Sequence, residues 1–432
     1  MRQRSRSPPL TKLPAPGANA DLADWLAYHQ QLNPREIELG LERTATVLSR
    51  LDWQRPPLVI TVAGTNGKGS SVAMLAASLR DVNTLVGTFT SPHLVRYNER
   101  IAIDGVAADD AAIIAAFEWL EAVRADTPLT YFEASTLAAL RVFEQANVDA
   151  VILEVGLGGR LDAVNAVHAD AMLITSIDLD HKDWLGDTRE LIGLEKAGIL
   201  RPNRPAVFAG LDMPDSIDTY AAANDVPLWV AGRDYQLDVA SSGKWRYRSA
   251  AVELVDLPPL GLAGRHQLSN AAGVIALLQR LQRLPSDIGQ RLAALTVTGR
   301  FHEVGRDPTW VLDVAHNPAA AEALAAALTS RPVPGKTRAL VGLLATKDLD
   351  GTIHAVAPAI DEWYAVGGES AASVPALTLA SRIAAATTSP CGWFDTVAEA
   401  VEVLQRDACS GERVVVFGSF TVVGPALRAL GL

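Results

Sequence analysis

The chain has 432 residues, of which 49% are hydrophobic, so it is long and apolar enough for two or three domains with large buried cores. Its 38 Lys and Arg residues stand against 49 Asp and Glu residues, which gives a formal net charge of −11 at pH 7. This acidic balance argues against a protein that binds nucleic acid or an anionic membrane, because both partners need a basic surface. A polyanionic nucleotide must therefore be held by local groups and a metal ion.

The two cysteines, Cys391 and Cys409, are too few for a disulfide framework and have no metal-ligand spacing. They indicate reduced thiols, and no run approaches the ~18 apolar residues of a membrane span, so we expect a cytoplasmic protein. Residues 1–20 have little to bury, which predicts a disordered tail. Their lack of acidic residues would also suit a transit peptide, but they lack the apolar core of a signal peptide.

The first half of the chain alternates predicted helices and apolar strands, beginning with a helix over Asp21–Gln31. The strand Leu58–Ala63 is followed by a glycine-rich turn and a helix from about Ser70 to Arg80. Such alternation predicts an α/β fold whose parallel sheet is covered on both faces. Further strands are predicted over 84–90, 148–155, 170–175 and 205–209.

The second half predicts a smaller, Rossmann-like α/β unit beginning near Phe301. Before it, the alternating stretch Tyr235–Leu254 predicts a peripheral antiparallel hairpin, and 268–284 predicts a helix. We therefore predict the tail, a larger domain over 21–298 and a smaller domain over 299–432. The elements predicted in the smaller unit are strands 309–314, 337–344, 361–366 and 413–418 and helices 318–329, 349–358 and 375–386.

The strongest motif is the run from Val59 to Ser70, where a strand enters a glycine-rich turn and a helix leaves it. Glycines let backbone N–H groups approach a phosphate, the helix N-terminus adds a positive dipole end, and Lys68 adds a charge. An extra glycine between Lys68 and Ser70 departs from the usual P-loop spacing, so this hydroxyl need not be the main metal ligand. A plain turn would explain the glycines but not the lysine. The predicted nucleotide contacts are Gly64, Thr65, Asn66, Gly67, Lys68, Gly69 and Ser70.

Three polar residues that follow apolar strands are candidate metal ligands. Glu154 ends the strand Asp149–Val155, and a carboxylate in that position beside a P-loop usually faces Mg²⁺. His181 follows the next strand, and Ser91 offers a hydroxyl after the strand before it. Each has an ordinary alternative: a carboxylate that caps a loop, a structural histidine, or a simple Ser-Pro turn. Their occurrence together favours the metal site.

These segments together resemble the folylpolyglutamate synthase and dihydrofolate synthase branch of the Mur ligase family, over roughly residues 21–432. The resemblance implies a P-loop, ATP-binding N-terminal domain with a parallel sheet, followed by a smaller glutamate-ligase domain. ATP would bind between them with one or two Mg²⁺ ions. Beyond the phosphate loop, the matching segments are Glu38–Arg43, Thr90–Leu94, Glu99–Ile101, Tyr131–Glu133, Glu154–Asn165, Leu179–Gly186, Glu195–Ile199, Gly264–Asn270, Thr298–Phe301, Asp313–Pro318 and Phe417–Phe420.

The resemblance also implies roles for single residues. Ser91, Glu154 and His181 match the family's Mg²⁺ ligands. Lys196 matches a lysine that is carbamylated in the family, which would make it a further metal ligand and a catalytic residue beside Lys68. The other ATP contacts match Asn270, Arg300 and Asp313.

On the substrate side, the resemblance implies a pterin site and a glutamate site. His316, as a third catalytic residue, and Ser419 are candidates for the glutamate side. Two departures from the family pattern stand out: the segment Thr346–Asp348, which puts a second-domain contact in doubt, and Lys182, which adds charge near the metal. The residues near the pterin end would be Tyr131, Phe132, Glu133, Asp162 and Ala163.

Ordinary structural roles remain open for several of these residues. Phe132 could be a core aromatic, Lys196 a solvated lysine paired with Glu195 or Asp187, and His316 a turn residue. Capping or surface roles could likewise explain Glu133, Asn270, Arg300 and Asp313.

The expected activity is ATP-dependent addition of L-glutamate to dihydropteroate and to reduced folates. A carboxylate of the acceptor would attack the γ-phosphorus, and the glutamate amine would displace phosphate from the resulting acyl phosphate. Alternatives are chain extension on folates alone, another Mur-type amino-acid ligase, or a P-loop nucleotide switch. A guanine-binding switch is disfavoured because Leu349 stands where the Asn/Thr-Lys-x-Asp pattern needs an acid. We expect a monomer without nucleic-acid or membrane partners.

Overall fold

The computed structural model of the protein describes residues 13–33, 35, 37–51, 53–305 and 307–432. The first 12 residues of the predicted tail lie outside this range. In the remainder of that tail, the Ala20 N–H donates to the Gly17 carbonyl at 2.9 Å, and Leu13 and Ala20 pack against the core of the first part. Within the described residues, no helix combines the length and apolar character needed to cross a membrane.

The first part of the described chain contributes eight strands to one mostly parallel sheet. They are β1 (Leu58–Ala63), β2 (Val86–Phe89), β3 (Ile101–Ile103), β4 (Val106–Ala107), β5 (Ala150–Glu154), β6 (Ala171–Ile174), β7 (Ala206–Phe208) and β8 (Leu228–Val230). Their order is β4-β3-β2-β5-β1-β6-β7-β8, and only β3 and β4 join by antiparallel pairing. The central strand β1 is buried along its whole length, which explains why its sequence is a continuous apolar run.

Helices cover both faces of this sheet, as the alternating sequence predicted. They are α1 (Leu22–Leu32), α2 (Glu42–Arg50), α3 (Lys68–Leu79), α4 (Asp110–Arg124), α5 (Tyr131–Gln145), α6 (Lys182–Leu185), α7 (Arg189–Ala197), α8 (Asp215–Ala223), α9 (Arg265–Arg280) and α10 (Ile288–Ala294). Successive side chains of a strand point to opposite faces. Accordingly, Val59 packs in the cluster with α4 and α5, while Ile60 packs in the cluster with α3 and α9.

The predicted peripheral hairpin is instead a three-stranded antiparallel sheet, with β9 (Tyr235–Val239), β10 (Trp245–Ser249) and β11 (Glu253–Leu257) in the order β11-β10-β9. Trp245 and Tyr247 on the middle strand are buried in the same cluster as α9. The third strand was missed because apolar and polar residues alternate only weakly along β11.

The second part forms a six-stranded sheet flanked by helices. Its strands are β12 (His302–Val304), β13 (Thr309–Leu312), β14 (Thr337–Val341), β15 (Glu362–Val366), β16 (Cys391–Phe394) and β17 (Arg413–Phe417), in the order β12-β13-β17-β14-β15-β16. Its helices are α11 (Pro318–Thr329), α12 (Leu349–Val356), α13 (Ala376–Ala386), α14 (Val397–Asp407) and α15 (Phe420–Ala429). The prediction lacked the two short edge strands β12 and β16 and the helices α14 and α15. The boundary at residues 298–299, in the connection between α10 and β12, stays a proposal.

Candidate active site

The strands β1, β2, β5 and β6 end at one edge of the first sheet, where ligands bind in open α/β folds. A cavity of about 650 Å³ lies there, lined by residues from both parts of the chain. The predicted nucleotide, metal and catalytic residues all line it, whereas the predicted pterin-side residues do not. The predicted residues that line the cavity, including the glutamate-side candidate Ser419, are Gly64, Thr65, Asn66, Gly67, Lys68, Gly69, Ser70, Ser91, Glu154, Lys196, His181, Asn270, Arg300, Asp313, His316 and Ser419.

The phosphate loop turns directly into α3, as its sequence predicted. Gly67 is the residue before the helix and has φ +88°, in the left-handed region that favours glycine. A Cβ at Gly67 would also lie 2.6 Å from the side-chain nitrogen of Asn270, so the loop and α9 approach each other closely. Asn270 lies inside α9, which begins at Arg265, so it is not the N-cap of that helix.

Lys68 begins α3 and folds back over the loop. Its Nζ donates to the carbonyl oxygens of Gly64 at 3.1 Å and Thr65 at 3.3 Å. Burial lowers the pKa of the Lys68 ammonium, while the negative charges of Glu154 and Asp180 act in the opposite direction. The lysine is therefore placed where an anionic ligand would stabilise its charge.

Glu154 ends β5 at the cavity, and its side chain is almost fully buried. Its Oε2 accepts a hydrogen bond from the Ser91 N–H at 3.2 Å. Burial raises the pKa of the Glu154 carboxyl, and the cations of Lys68 and Arg300 oppose that rise. A carboxylate buried this deeply needs a positive partner, and at this edge of the cavity Lys68, Arg300 or a bound cation could supply one. His181, just before α6, is partly exposed and lines the same cavity.

Lys196 is 4% exposed, which contradicts the alternative of a solvated surface lysine. Thr188 caps α7 by accepting from the Leu191 N–H, as the predicted helix start requires, and α7 carries Lys196 into the cavity wall. Its neighbour Glu195 pairs with Arg160 at 2.7 Å instead. Burial and the nearby Lys68 charge lower the pKa of the Lys196 ammonium to about 7.

Arg300 and Asp313 enter the cavity from the second part. The Asp313 carboxylate accepts the N–H groups of Phe301 at 2.8 Å and Ala315 at 2.8 Å, and burial raises its pKa. It therefore fixes the backbone that presents Arg300, rather than simply ending β13. The Arg300 guanidinium lies 5.7 Å from the centre of the Phe420 ring, which places it against the start of α15.

The sequence analysis missed a polar contact that joins the two parts across the cavity. Lys347 Nζ donates to Asp180 Oδ1 at 2.7 Å, and both side chains are less than a tenth exposed. Asn317 exchanges side-chain hydrogen bonds with Asn66 of the phosphate loop, at 3.0 and 3.2 Å. Asn66 was predicted as a phosphate contact, but its partner was not.

His316 and Asp180 complete this network. His316 Nδ1 lies 2.8 Å from the Val314 carbonyl, so Nδ1 carries the proton, and Nε2 lies 3.6 Å from Asp180 Oδ2. Burial alone would raise the pKa of Asp180, but the His316 imidazole and the Lys347 charge hold it well below its usual range. The signal for Asp180 was present in the Leu179–Gly186 match, whereas Lys347 lay in a segment that departed from the family pattern.

The predicted pterin-side residues lie beneath the loop 156–158 that lines the cavity. The Phe132 ring packs against Gly156, and the Asp162 Oδ2 accepts the Leu157 N–H at 2.8 Å. Glu133 caps α5 by accepting the Thr130 N–H at 2.7 Å and pairs with a neighbouring arginine. Tyr131 and Ala163 lie in the same region. The guanidinium of the buried Arg100 is 5.5 Å from the centre of the Tyr131 ring.

Two family models match the chain. The family "Mur ligase middle domain" matches residues 62–278, and "Mur ligase, glutamate ligase domain" matches residues 299–420. The dihydrofolate synthase/folylpolyglutamate synthase of Escherichia coli (strain K12) is 40% identical over 418 residues, covering 96% of this chain and 97% of the relative.

Solved structures agree along nearly the whole chain. E. coli FolC in complex with DHPP and ADP has a TM-score of 0.90 and 38% identity, covering 96% of this chain and 99% of its own. A bifunctional folylpolyglutamate synthase/dihydrofolate synthase with Mn, AMPPNP and L-glutamate bound has a TM-score of 0.89 and 41% identity, covering 97% of this chain and 100% of its own. The chain therefore belongs to the dihydrofolate synthase/folylpolyglutamate synthase family of Mur ligases.

Proposed function

We propose that the protein is an ATP-dependent ligase that joins L-glutamate to dihydropteroate and to reduced folates through an acyl phosphate. The observation that carries this proposal is the single cavity in which a phosphate loop, a buried carboxylate and cations from both parts of the chain meet. The relatives named for both activities, and the structures holding ADP, DHPP, AMPPNP, Mn and L-glutamate, support it.

The chemistry requires positioning more than covalent participation by the protein. The loop N–H groups and Lys68 would hold the phosphates of ATP, while Asn270, Arg300 and Asp313 would fix the rest of the nucleotide between the two parts. The acceptor carboxylate attacks the γ-phosphorus, ADP leaves, and the acyl phosphate forms. Lys68 and Arg300 offset the negative charge on the transferred group. Closure of the two parts around the bound substrates would exclude water and protect the acyl phosphate.

The second half-reaction joins glutamate. Its free amine attacks the acyl carbon, and phosphate leaves with the bonding electrons while the amine loses a proton. His316 and Ser419 line the cavity from the second part of the chain and would orient the amino acid. Ser419 already accepts the Thr421 N–H at 3.1 Å as the cap of α15, so its position is rigid. Orientation of bound reactants can supply ~7–11 kcal/mol of the barrier reduction.

The residues present fit Mg²⁺. The described residues contain no cluster of three or more His, Cys, Asp or Glu side chains suited to a metal ion. Mg²⁺ does not need one, because it usually takes one or two carboxylates, several waters and substrate phosphates. Glu154, Ser91 and His181 line the cavity beside the phosphate loop and would hold the ion, with a carbamylated Lys196 as a further oxygen donor. The bound ion would neutralise phosphate charge.

One assay tests this function. The purified chain is incubated with ATP, L-glutamate and either dihydropteroate or a reduced folate monoglutamate, and product masses are measured. We expect one added glutamate on dihydropteroate and one or more on the folate. Lys68→Ala is the control and should lose ligation while keeping the fold, because a loop lysine contributes little to the core.

The outcome also separates the alternatives. Failure with dihydropteroate alone would leave chain extension as the only activity. Nucleotide turnover that needs neither glutamate nor a pteroate would instead indicate a nucleotide switch. We further infer a cytoplasmic monomer without nucleic-acid or membrane partners, an inference supported by the net charge of −11.

A further inference from the structure

The two parts of the chain also meet outside the cavity, where a turn of the first part packs against α15 of the second. This turn, residues 93–96, is called the docking turn here, and it follows β2 and Ser91. Its apolar residues Leu94 and Val95 pack against the core of the second part. That core cluster includes Leu312, Val314, Val422, Val423, Ala426 and Leu427.

The contact between the docking turn and α15 is made by backbone on both sides. A Cβ built on Gly424 of α15 would overlap the carbonyl oxygen of Leu94. The Leu94 side chain continues to Gly299, in the connection between the two parts, where its Cδ1 would lie 3.1 Å from an added Cβ. Any side chain at Gly424 must therefore push the helix and the turn apart.

The docking turn is held rigidly to the first part. The carboxylate of Glu99 accepts the N–H groups of Leu94 at 2.8 Å, Val95 at 2.8 Å and Arg96 at 2.7 Å. Three backbone donors on one carboxylate fix the shape of the turn. A displacement of α15 should therefore move the docking turn as a unit, instead of only deforming it.

The docking turn and α15 are each next in sequence to residues that line the cavity. Ser91 lies a few residues before Leu94, lines the cavity and donates its N–H to Glu154. On the other side, α15 begins after Ser419, which also lines the cavity, and its first residue, Phe420, packs against Arg300.

We propose that Leu94 and Gly424 are positioning residues for ligation. Their contact sets how closely the Ser419 end of α15 approaches the Ser91 and Glu154 end of the cavity, and so the distance between the acyl phosphate and the incoming glutamate amine. The proposal rests on the proposed function of this site. A misplacement of about 1 Å at such a distance can reduce a rate by ~100-fold.

The test must separate this contact from a local effect on α15. Gly424 precedes Pro425, and a residue with a Cβ before proline disfavours the helical conformation for that reason alone. The background variant Pro425→Ala removes that restriction and places a good helix former in the helix. We expect Pro425→Ala to ligate at nearly the parent rate.

In that background, Gly424→Ala adds only the collision with the docking turn. We expect kcat for ligation to fall by roughly 10- to 100-fold and the KM for glutamate to rise, while the KM for ATP changes less. Leu94→Ala should show the same pattern more weakly. Leu94→Ala keeps the backbone carbonyl that Gly424→Ala would strike and removes only the packing of the Leu94 side chain. Both variants disturb the approach of the docking turn to α15, so their effects on kcat should not simply add when they are combined.

Hydrogen exchange of the amides at residues 94–96 gives a readout that does not depend on activity. Gly424→Ala/Pro425→Ala should exchange faster there than Pro425→Ala. If the parent ligates none of the pteroates, the proposed function fails and this exchange comparison alone tests the contact. Parent-like exchange, parent-like kcat and KM, or a loss of kcat with no change in the KM for glutamate would each overturn the positioning role.

Discussion

At the scale of single residues, the chemistry of the cavity depends on how burial changes ionisation. Lys196 is the clearest case, because burial and the Lys68 charge lower its pKa to about 7. At neutral pH, much of this lysine is then the free amine, the form whose nitrogen attacks CO₂ to give a carbamate and a proton. A carbamate reverses the charge and adds the oxygen donors that Mg²⁺ prefers.

We therefore expect Lys196→Ala to reduce ligation by roughly 100-fold, and added short-chain carboxylic acids to restore part of the rate. The exposed Lys244→Ala, between β9 and β10 and away from the cavity, serves as the control and should stay close to the parent. Turnover with and without the added acid is the measurement. An unchanged Lys196→Ala rate, together with electron density ending at a plain ammonium in an ATP-bound crystal, would contradict carbamylation.

Glu154 and His181 give a second prediction at this scale. Glu154 is buried and His181 lines the same cavity wall, so loss of either should weaken a bound Mg²⁺. We expect Glu154→Ala and His181→Ala each to raise the Mg²⁺ concentration for half-maximal ligation by roughly 10- to 100-fold. Titration of Mg²⁺ at saturating ATP measures the shift. Parent-like dependence in both variants would place the metal site elsewhere.

At the scale of elements, α1 contains a buried histidine whose protonation at acidic pH should destabilise the fold. His29 is fully buried among Trp25, Tyr28 and Phe117, and neither ring nitrogen has a hydrogen-bond partner in the described part of the chain. Burial, and then the charge of Arg124, lower its pKa to about 3. The unfolded chain binds a proton near pH 6.5, so unfolding is favoured as the pH falls from 6.5 toward 3.

This single group should remove about 2 kcal/mol of stability between pH 8 and pH 5. We expect His29→Leu to lose less stability than the parent over that interval, because leucine binds no proton in either state. The exposed His354→Gln on α12 is the control and should follow the parent. Urea unfolding at the two pH values is the measurement, and equal pH dependence in His29→Leu and the parent would exclude the effect.

At the scale of the whole molecule, the sequence predicted each part better than their contact. The apolar strands, the phosphate loop and the start of α7 follow from local patterns, and the structure places them within a few residues of the prediction. The strand β11 and the short edge strands β12 and β16 were missed, because each is short and weakly patterned. Lys347 could not be paired with Asp180 from the sequence, because that contact depends on the placement of one sheet against the other.

That contact gives the last prediction. Lys347 and Asp180 are both nearly buried and belong to different parts of the chain. Removing one partner of a buried ion pair typically costs ~3–5 kcal/mol, because the other charge is left uncompensated. Here the His316 imidazole and the Asn317 amide remain beside Asp180, so the loss should be smaller.

We therefore expect Lys347→Met to lower the free energy of unfolding by about 2 kcal/mol, and Asp180→Asn/Lys347→Met to recover most of that loss because no charge then remains unpaired. Lys336→Met is the matched control. Lys336 is exposed and its Nζ lies 3.8 Å from a carboxylate oxygen of Glu362. Exposed pairs of this kind contribute roughly 0–1 kcal/mol to the free energy of unfolding. Urea unfolding of the four proteins measures the order. A double variant less stable than Lys347→Met would mean that Asp180 is stabilised by neighbours other than the lysine, and that the pair does not hold the two parts together.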